Sequence, residues 1–124
     1  KKTGVSVETV VQSIRRLKKD GVILGYSIVM DLEQLGMSHY KILFTLNNTA
    51  EKDVKAFEAY VRARPRVLGL FRSLAHYDYQ VDVEVESVQQ LKEITMELNA
   101  HFSHIIHDYS VLRIASMPKY TFYP

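Results

Sequence analysis

The sequence contains no cysteine and no long apolar run, and each absence removes a class of protein. Zero cysteines rule out a disulfide framework and thiolate metal sites, and they fit a reducing, cytoplasmic setting. A membrane helix needs about 18 consecutive apolar residues, and no stretch approaches that. The basic start carries no apolar segment of the kind that makes a secretory signal. Also missing are a nucleophile–base pair, a glycine-rich phosphate loop and a metal-ligand set. No enzymatic activity and no cofactor are therefore expected.

What remains is a 124-residue chain with 47% hydrophobic content, enough for one modest core. Its net charge of +2 is unevenly spread. Residues 1–24 hold six basic side chains (Lys1, Lys2, Arg15, Arg16, Lys18, Lys19) against Glu8 and Asp20, so the other hundred residues sum to −2. A basic end on a mildly acidic body suggests a localised contact with a polyanion, although a solvated helix face would look the same.

The basic end reads TGVSVETVVQSIRRLKKDGVI. Ser6 suits a helix N-cap, and Glu8 falls in the first turn, where the helix dipole favours an acid. Val7, Val10, Ile14 and Leu17 recur at steps of three and four and mark one apolar stripe. The opposite face carries Glu8, Thr9, Gln12, Arg15, Arg16 and Lys19. Lys18, Lys19 and Gly21 then provide a basic last turn and a glycine stop. Val22 to Met30 is apolar and β-branched enough for a strand, broken by Gly25. Asp31 to Gly36 reads as a turn or short helical connector, which places a boundary between residues 1–36 and 37–124.

A second grammar follows. Tyr40 to Leu46 reads as a strand ended by Asn47-Asn48. Glu51 to Arg64 reads as a helix with Val54, Phe57 and Val61 inward, stopped by Pro65. Arg66 to Leu74 is a further strand. From Tyr79 to Glu86 the chain alternates strictly, with Tyr79, Val81, Val83 and Val85 on one face. Ser87 can cap a helix to about His101, with Leu91, Ile94, Leu98 and Phe102 inward. Ile105 to Ala115 closes as a strand. The order is β-α-β-β-α-β, an α+β chain of ferredoxin-like type: a four-stranded antiparallel sheet with both helices on one face. The uncovered face invites pairing with a second copy, so a homodimer or higher oligomer is expected.

These segments resemble the Lrp/AsnC family of leucine-responsive and asparagine regulators. SVETVVQSIRRLKKDGVILGYSIVMDLEQLGM is similar to that family's recognition helix and connecting strand, through Thr9-Val10, Ile14, Arg16-Leu17, Gly21-Val22-Ile23 and Gly25-Tyr26. The βαββαβ part, including LAHYDYQVDVEVES and IIHDYSVLRI, resembles its regulatory domain. The resemblance implies a DNA-binding transcription regulator with a partial helix-turn-helix, whose second domain assembles copies and senses an amino-acid effector. In helix-turn-helix proteins the N-terminal part of the recognition helix lies nearest the bases. Ser6, Val7, Thr9, Gln12 and Ser13 are thus placed toward base edges or nearby backbone. Arg15, Arg16, Lys18 and Lys19 are placed toward phosphates, which orient without reading sequence. Ser13 stands where the family often has arginine, which sets its sequence preference apart. Effector binding is expected at Ala75, His76, Tyr77 and Asp78, with Asp78 accepting from a ligand ammonium and loop N–H groups holding its carboxylate. Ala75 departs from the family's usual glycine, and a Cβ there is expected to crowd a ligand and to resist positive φ. The plain alternative is a hairpin turn in which Asp78 bonds its own backbone.

Other readings carry less. His101, His104 and His107 are spaced by three but span a helix end and a strand start, so their side chains diverge. Arg72, His76, Tyr77 and Asp78 form no recognisable acid–base motif. Of the eight tyrosines, Tyr40 and Tyr79 sit on strand faces expected to be covered by helices, where packing outweighs base stacking. The rival function is a stand-alone assembly or sensing module with no DNA binding of its own. A trihelical unit cannot be completed from the two residues ahead of Thr3, and no initiator methionine is present. The sequence is therefore expected to be a piece of a longer protein that, alone, touches DNA weakly and mainly through charge.

Overall fold

The computed structural model describes residues 4–26, 28, 30–32, 34–47, 50–74 and 76–116. The chain divides into two units, 1–30 and 31–124, the division falling ahead of the boundary expected at Gly36.

In the first unit, Val7–Lys19 forms helix α1. Ser6 is extended and its hydroxyl accepts the Thr9 N–H at 3.2 Å, satisfying one of the donors a helix start leaves open. At the other end Gly21 turns left-handed at φ 70°, with its N–H on Lys18 O (3.3 Å) and the Val22 N–H on Leu17 O (2.9 Å). This is a Schellman stop, and a side chain at Gly21 would be strained. The expected strand over residues 22–30 is not formed among the described residues. A strand needs a ladder partner, and here the N–H groups of Val22 and Ile23 are both taken by Leu17 O.

Near the start of the second unit, residues 32 and 34–36 lie in turns, where Gly36 is left-handed (φ 69°) and Asp31 accepts the Gln34 N–H. The unit continues with β1 (Ser38–Leu46), α2 (Glu51–Arg62), β2 (Val67–Arg72), β3 (Tyr79–Val85), α3 (Val88–Phe102) and β4 (Ile106–Arg113). The sheet order is β2-β3-β1-β4, with every neighbouring pair antiparallel. That is the expected ferredoxin-like arrangement.

Strand alternation decides which side chains meet the helices. Tyr40, Ile42 and Phe44 on β1 and Tyr79, Val81, Val83 and Val85 on β3 are buried against Phe57 and Val61 of α2 and Leu91, Leu98 and Phe102 of α3. The Phe57 ring is the hub, edge-on to Phe44 (5.5 Å), Tyr79 (5.5 Å) and Phe102 (5.4 Å). Burying one such ring contributes about 2–3 kcal/mol from area alone. α3 also buries Thr95, whose hydroxyl turns back to Lys92 O at 2.9 Å. Val54 and Ile94 pack at the margin of this core. Cover fades toward the edge strand β4, where Tyr109 and Val111 stay exposed although they share the side of Phe44 and Ile42.

The other face of the sheet is left uncovered by α2 and α3. It presents His39, Lys41, Leu43 and Thr45 from β1, Gln80, Asp82 and Glu84 from β3, Ser110 and Leu112 from β4, and Gly69 and Phe71 from β2. Gly69 lies under the Phe71 ring, and a Cβ there would come within 2.6 Å of that ring. The flat aromatic cover exists because position 69 has no side chain.

Candidate functional site

Helix α1 is strongly two-sided. No residue of it is buried within its unit: Val7 is 79% exposed, and even Val10, Val11 and Ile14 remain exposed. Gln12, Arg15, Arg16 and Lys19 lie exposed on the opposite face. The side chains expected near bases divide into three kinds. Val7 and Gln12 are free to make contacts, while Ser6 and Thr9 bond each other, hydroxyl to hydroxyl at 2.9 Å. Ser13 is half-buried on the shoulder of the apolar stripe next to Leu17. Lys18 departs from the phosphate-facing set: helical spacing places it on the apolar side, and its ammonium stands 5.6 Å from the Tyr26 ring. Tyr26 as that partner was not readable from helix periodicity, because it lies past the glycine stop.

The β2–β3 loop is tied down from three sides. Ser73 N–H donates to Asp78 O at 2.7 Å, closing the turn. Asp78 N–H donates to Phe44 O at 2.9 Å, extending the ladder beyond its last paired residues. Asp78 Oδ2 accepts the Leu46 N–H at 2.7 Å, two residues beyond the last β1–β3 pair, Phe44 with Tyr79. Past the end of that ladder the strand N–H has no paired β3 residue to accept it, and this carboxylate does so. His76 is exposed, Tyr77 is half-buried, and Ala75 lies outside the described residues. The Asp78 carboxylate therefore bonds not its own backbone, as the plain alternative had it, but that of a strand 32 residues earlier. Next to the loop, the buried Tyr79 hydroxyl donates to Glu58 Oε1 at 2.6 Å. Burial first and Glu58 second push the phenol from its ordinary 10.0 up to about 12.

The histidines spaced by three do separate. His101 stacks on Tyr60 at 4.7 Å, within a clamp where Tyr60 donates to Glu97 (2.7 Å) and Arg64 both pairs with Glu97 (2.6 Å) and covers the Tyr60 ring (3.9 Å). His104 follows α3 and His107 lies on β4. Among the described residues no three His, Asp or Glu groups are gathered as a metal site, and no helix is long and apolar enough to cross a membrane.

A polar cluster on the open sheet face escaped the sequence reading. Asp82 Oδ2 is 3.4 Å from both His39 Nε2 and Lys41 Nζ, and Asp82 Oδ1 accepts from Gln80 Nε2 at 2.8 Å. The β1–β3 register that unites these residues crosses 41 positions of sequence.

Comparison with known proteins adds lineage to this geometry. Residues 41–118 match the family model described as the Lrp/AsnC ligand binding domain. Over 106 residues the chain is 27% identical to a proline dehydrogenase transcriptional activator of Rhodobacter capsulatus, covering 85% of this chain and 69% of that protein. It is 29% identical over 87 residues to the DNA-binding transcriptional activator DecR of Escherichia coli, covering 68% of this chain and 57% of that one. Among solved structures, an AsnC family transcriptional regulator from Agrobacterium tumefaciens superposes with a TM-score of 0.82 at 20% identity, over 98% of this chain and 78% of that chain. A transcriptional regulator of Neisseria meningitidis, solved as its complex with L-methionine, gives 0.81 at 18% identity, over 95% and 76%.

Proposed function

Since the chain belongs to the Lrp/AsnC family, we propose that it is part of a cytoplasmic DNA-binding transcription regulator: α1 is the recognition helix, and 37–124 is the domain that assembles copies and senses an amino acid. The observation that carries this reading is the two-sidedness of α1. Its outer face offers Gln12, Arg15, Arg16 and Lys19 to a duplex, while its apolar stripe calls for cover of the kind the rest of a helix-turn-helix provides. Copies pair through the open sheet face, where Phe71 and Leu112 are 54% and 48% exposed beside the half-buried Leu43. The amino acid sits at the loop containing Ala75, His76, Tyr77 and Asp78. There Asp78, already holding the Leu46 N–H, sets the loop's shape as well as its charge.

Alone, these 124 residues contact DNA chiefly through charge, because an uncovered helix is not held in one pose. Fluorescence anisotropy with duplex DNA over a salt series tests this. Weak binding at low salt should vanish as salt rises, and Arg16→Ala should lower the salt slope by about one. Tight sequence-specific binding at raised salt contradicts the charge-dominated reading, and no binding at low salt contradicts DNA contact altogether. A thermal-shift screen of amino acids addresses the loop, which loses its sensing role if none of them raises the transition.

A further inference from the structure

We infer that the outer face of α1 reads two bases, a cytosine through the Glu8 carboxylate and an adenine through the Gln12 amide, at base pairs one or two steps apart. This rests on the proposed role of α1 as a recognition helix and adds which base pairs it selects.

The outer face changes character along its length. Toward its start it carries Glu8 and Gln12, one turn apart, and toward its end Arg15, Arg16 and Lys19. At about 100° per residue, Gln12 stands at the middle of this face. Glu8 and Arg16 lie about 40° to either side of it, and Lys19 about 20° away. All five side chains are exposed, and among the described residues none of them makes a side-chain hydrogen bond or ion pair. The other polar side chains near the start are engaged or withdrawn. Ser6 Oγ holds the Thr9 N–H at 3.2 Å and the Thr9 hydroxyl at 2.9 Å, and Ser13 is half-buried. A free carboxylate and a free amide are what this end of the face offers.

Charge decides which end meets the DNA backbone. Phosphates attract Arg15, Arg16 and Lys19 and repel Glu8, so the cationic end settles on the backbone and the first turns face the base edges. In the major groove guanine and thymine show a carboxylate only acceptors. Cytosine offers its N4 amino group with no acceptor beside it, whereas adenine sets N7 next to its amino group. The Glu8 carboxylate therefore selects cytosine. The Gln12 amide has a donor and an acceptor of its own and matches adenine N6 and N7 together. Four residues of helix rise about 6 Å, against about 3.4 Å per base pair, which sets the interval between the two bases.

An acid in the first turn also favours the helix through its dipole. That role needs only a negative charge and prefers no base, so base preference separates the two.

Selection at low salt reads it. The 124-residue chain is mixed with duplexes carrying a short randomised centre, the bound fraction is sequenced, and anisotropy compares selected duplexes with the starting pool. The wild type should favour one cytosine and one adenine, each about fivefold over the other bases. That is the low end for a good side-chain–base pair, as suits a helix not held in one pose. Glu8→Gln should change the selected cytosine to adenine, and Gln12→Glu should change the selected adenine to cytosine. Both swaps keep side-chain length at exposed positions, and helical circular dichroism checks that α1 is still formed. Arg16→Ala should weaken binding to all duplexes alike and leave the selected bases unchanged. Duplex binding with no selected base overturns the inference while the charge contact stands. Selection that is the same in Glu8→Gln and Gln12→Glu as in the wild type overturns it too, because other side chains then read the bases. If no duplex is bound, the recognition role of α1 falls, and the inference with it.

Discussion

Helices α1 and α3 begin alike and end up in different situations. Each follows a serine whose hydroxyl accepts the N–H three residues on, Ser6 from Thr9 and Ser87 from Gln90, and each carries an apolar stripe. α3 sinks Leu91, Thr95, Leu98 and Phe102 into a core; α1 buries nothing within its unit. Local signals therefore suffice to write a helix, but tertiary cover decides what a stripe contributes. In α3 the stripe stabilises a fold, whereas in α1 it is available to something else.

The sharpest way to break that contrast is to truncate both sides of it. Phe57→Ala empties the hub between Phe44, Tyr79 and Phe102 and should cost about 3–5 kcal/mol in urea unfolding of the sheet domain. Ile14→Ala, at a site already 37% exposed, should cost less than about 1 kcal/mol. Equal losses would mean that the α1 stripe is covered in solution after all.

Alkaline pH probes the covered side without a cavity. Tyr79 is raised from 10.0 to about 12, so its folded state holds the phenolic proton more tightly than the unfolded chain does. The linked stability is fully present below pH 10 and is lost as pH rises toward 12, amounting to about 2–3 kcal/mol at the top of that window. Stability measured across this range should fall more steeply in the wild type than in Tyr79→Phe, which has no proton to lose. Parallel curves would show that burial of this hydroxyl is not what the alkaline limb reports.

Next in size comes the carboxylate at the edge of the core. Asp78→Ala leaves the Leu46 N–H, beyond the end of the β1–β3 ladder, without its acceptor and should cost about 1–3 kcal/mol. Asp78→Asn keeps a carbonyl oxygen there and should recover part of the loss. Amide exchange at Leu46 is the site-specific readout: it should quicken in the alanine variant and stay slower in the asparagine one. An unchanged rate in Asp78→Ala would remove the latch.

What the sequence made legible follows the same division. The alternation from Tyr79 to Val85 and the three- and four-residue steps through Phe57 and Val61 could be read directly, because each is a short-range pattern that one covered face imposes. Residues 22–30 carry an equally good strand composition but form no strand among the described residues, since composition cannot supply a ladder partner. Asp78 was singled out for its charge, yet its partner is a backbone N–H 32 residues away, left open where the β1–β3 ladder ends, which no local signal marks. The His39–Asp82–Lys41 cluster was invisible for the same reason. It exists only once register is fixed, and register depends on pairing across the whole sheet.

The smallest test returns to the two serines. Removing an N-cap hydroxyl costs a helix about 1 kcal/mol wherever it sits, since the same backbone donor loses its acceptor. Where that cost becomes visible should differ. Ser87→Ala weakens a helix that the core depends on, so the loss belongs in the cooperative unfolding of the sheet domain. Ser6→Ala weakens a helix with no buried residue, so it should reduce helical circular dichroism and leave that cooperative transition in place. It should also free the Thr9 hydroxyl, now bonded to Ser6 at 2.9 Å. If Ser6→Ala lowers the cooperative transition as much as Ser87→Ala does, the two units unfold as one, and the stripe on α1 has found its cover.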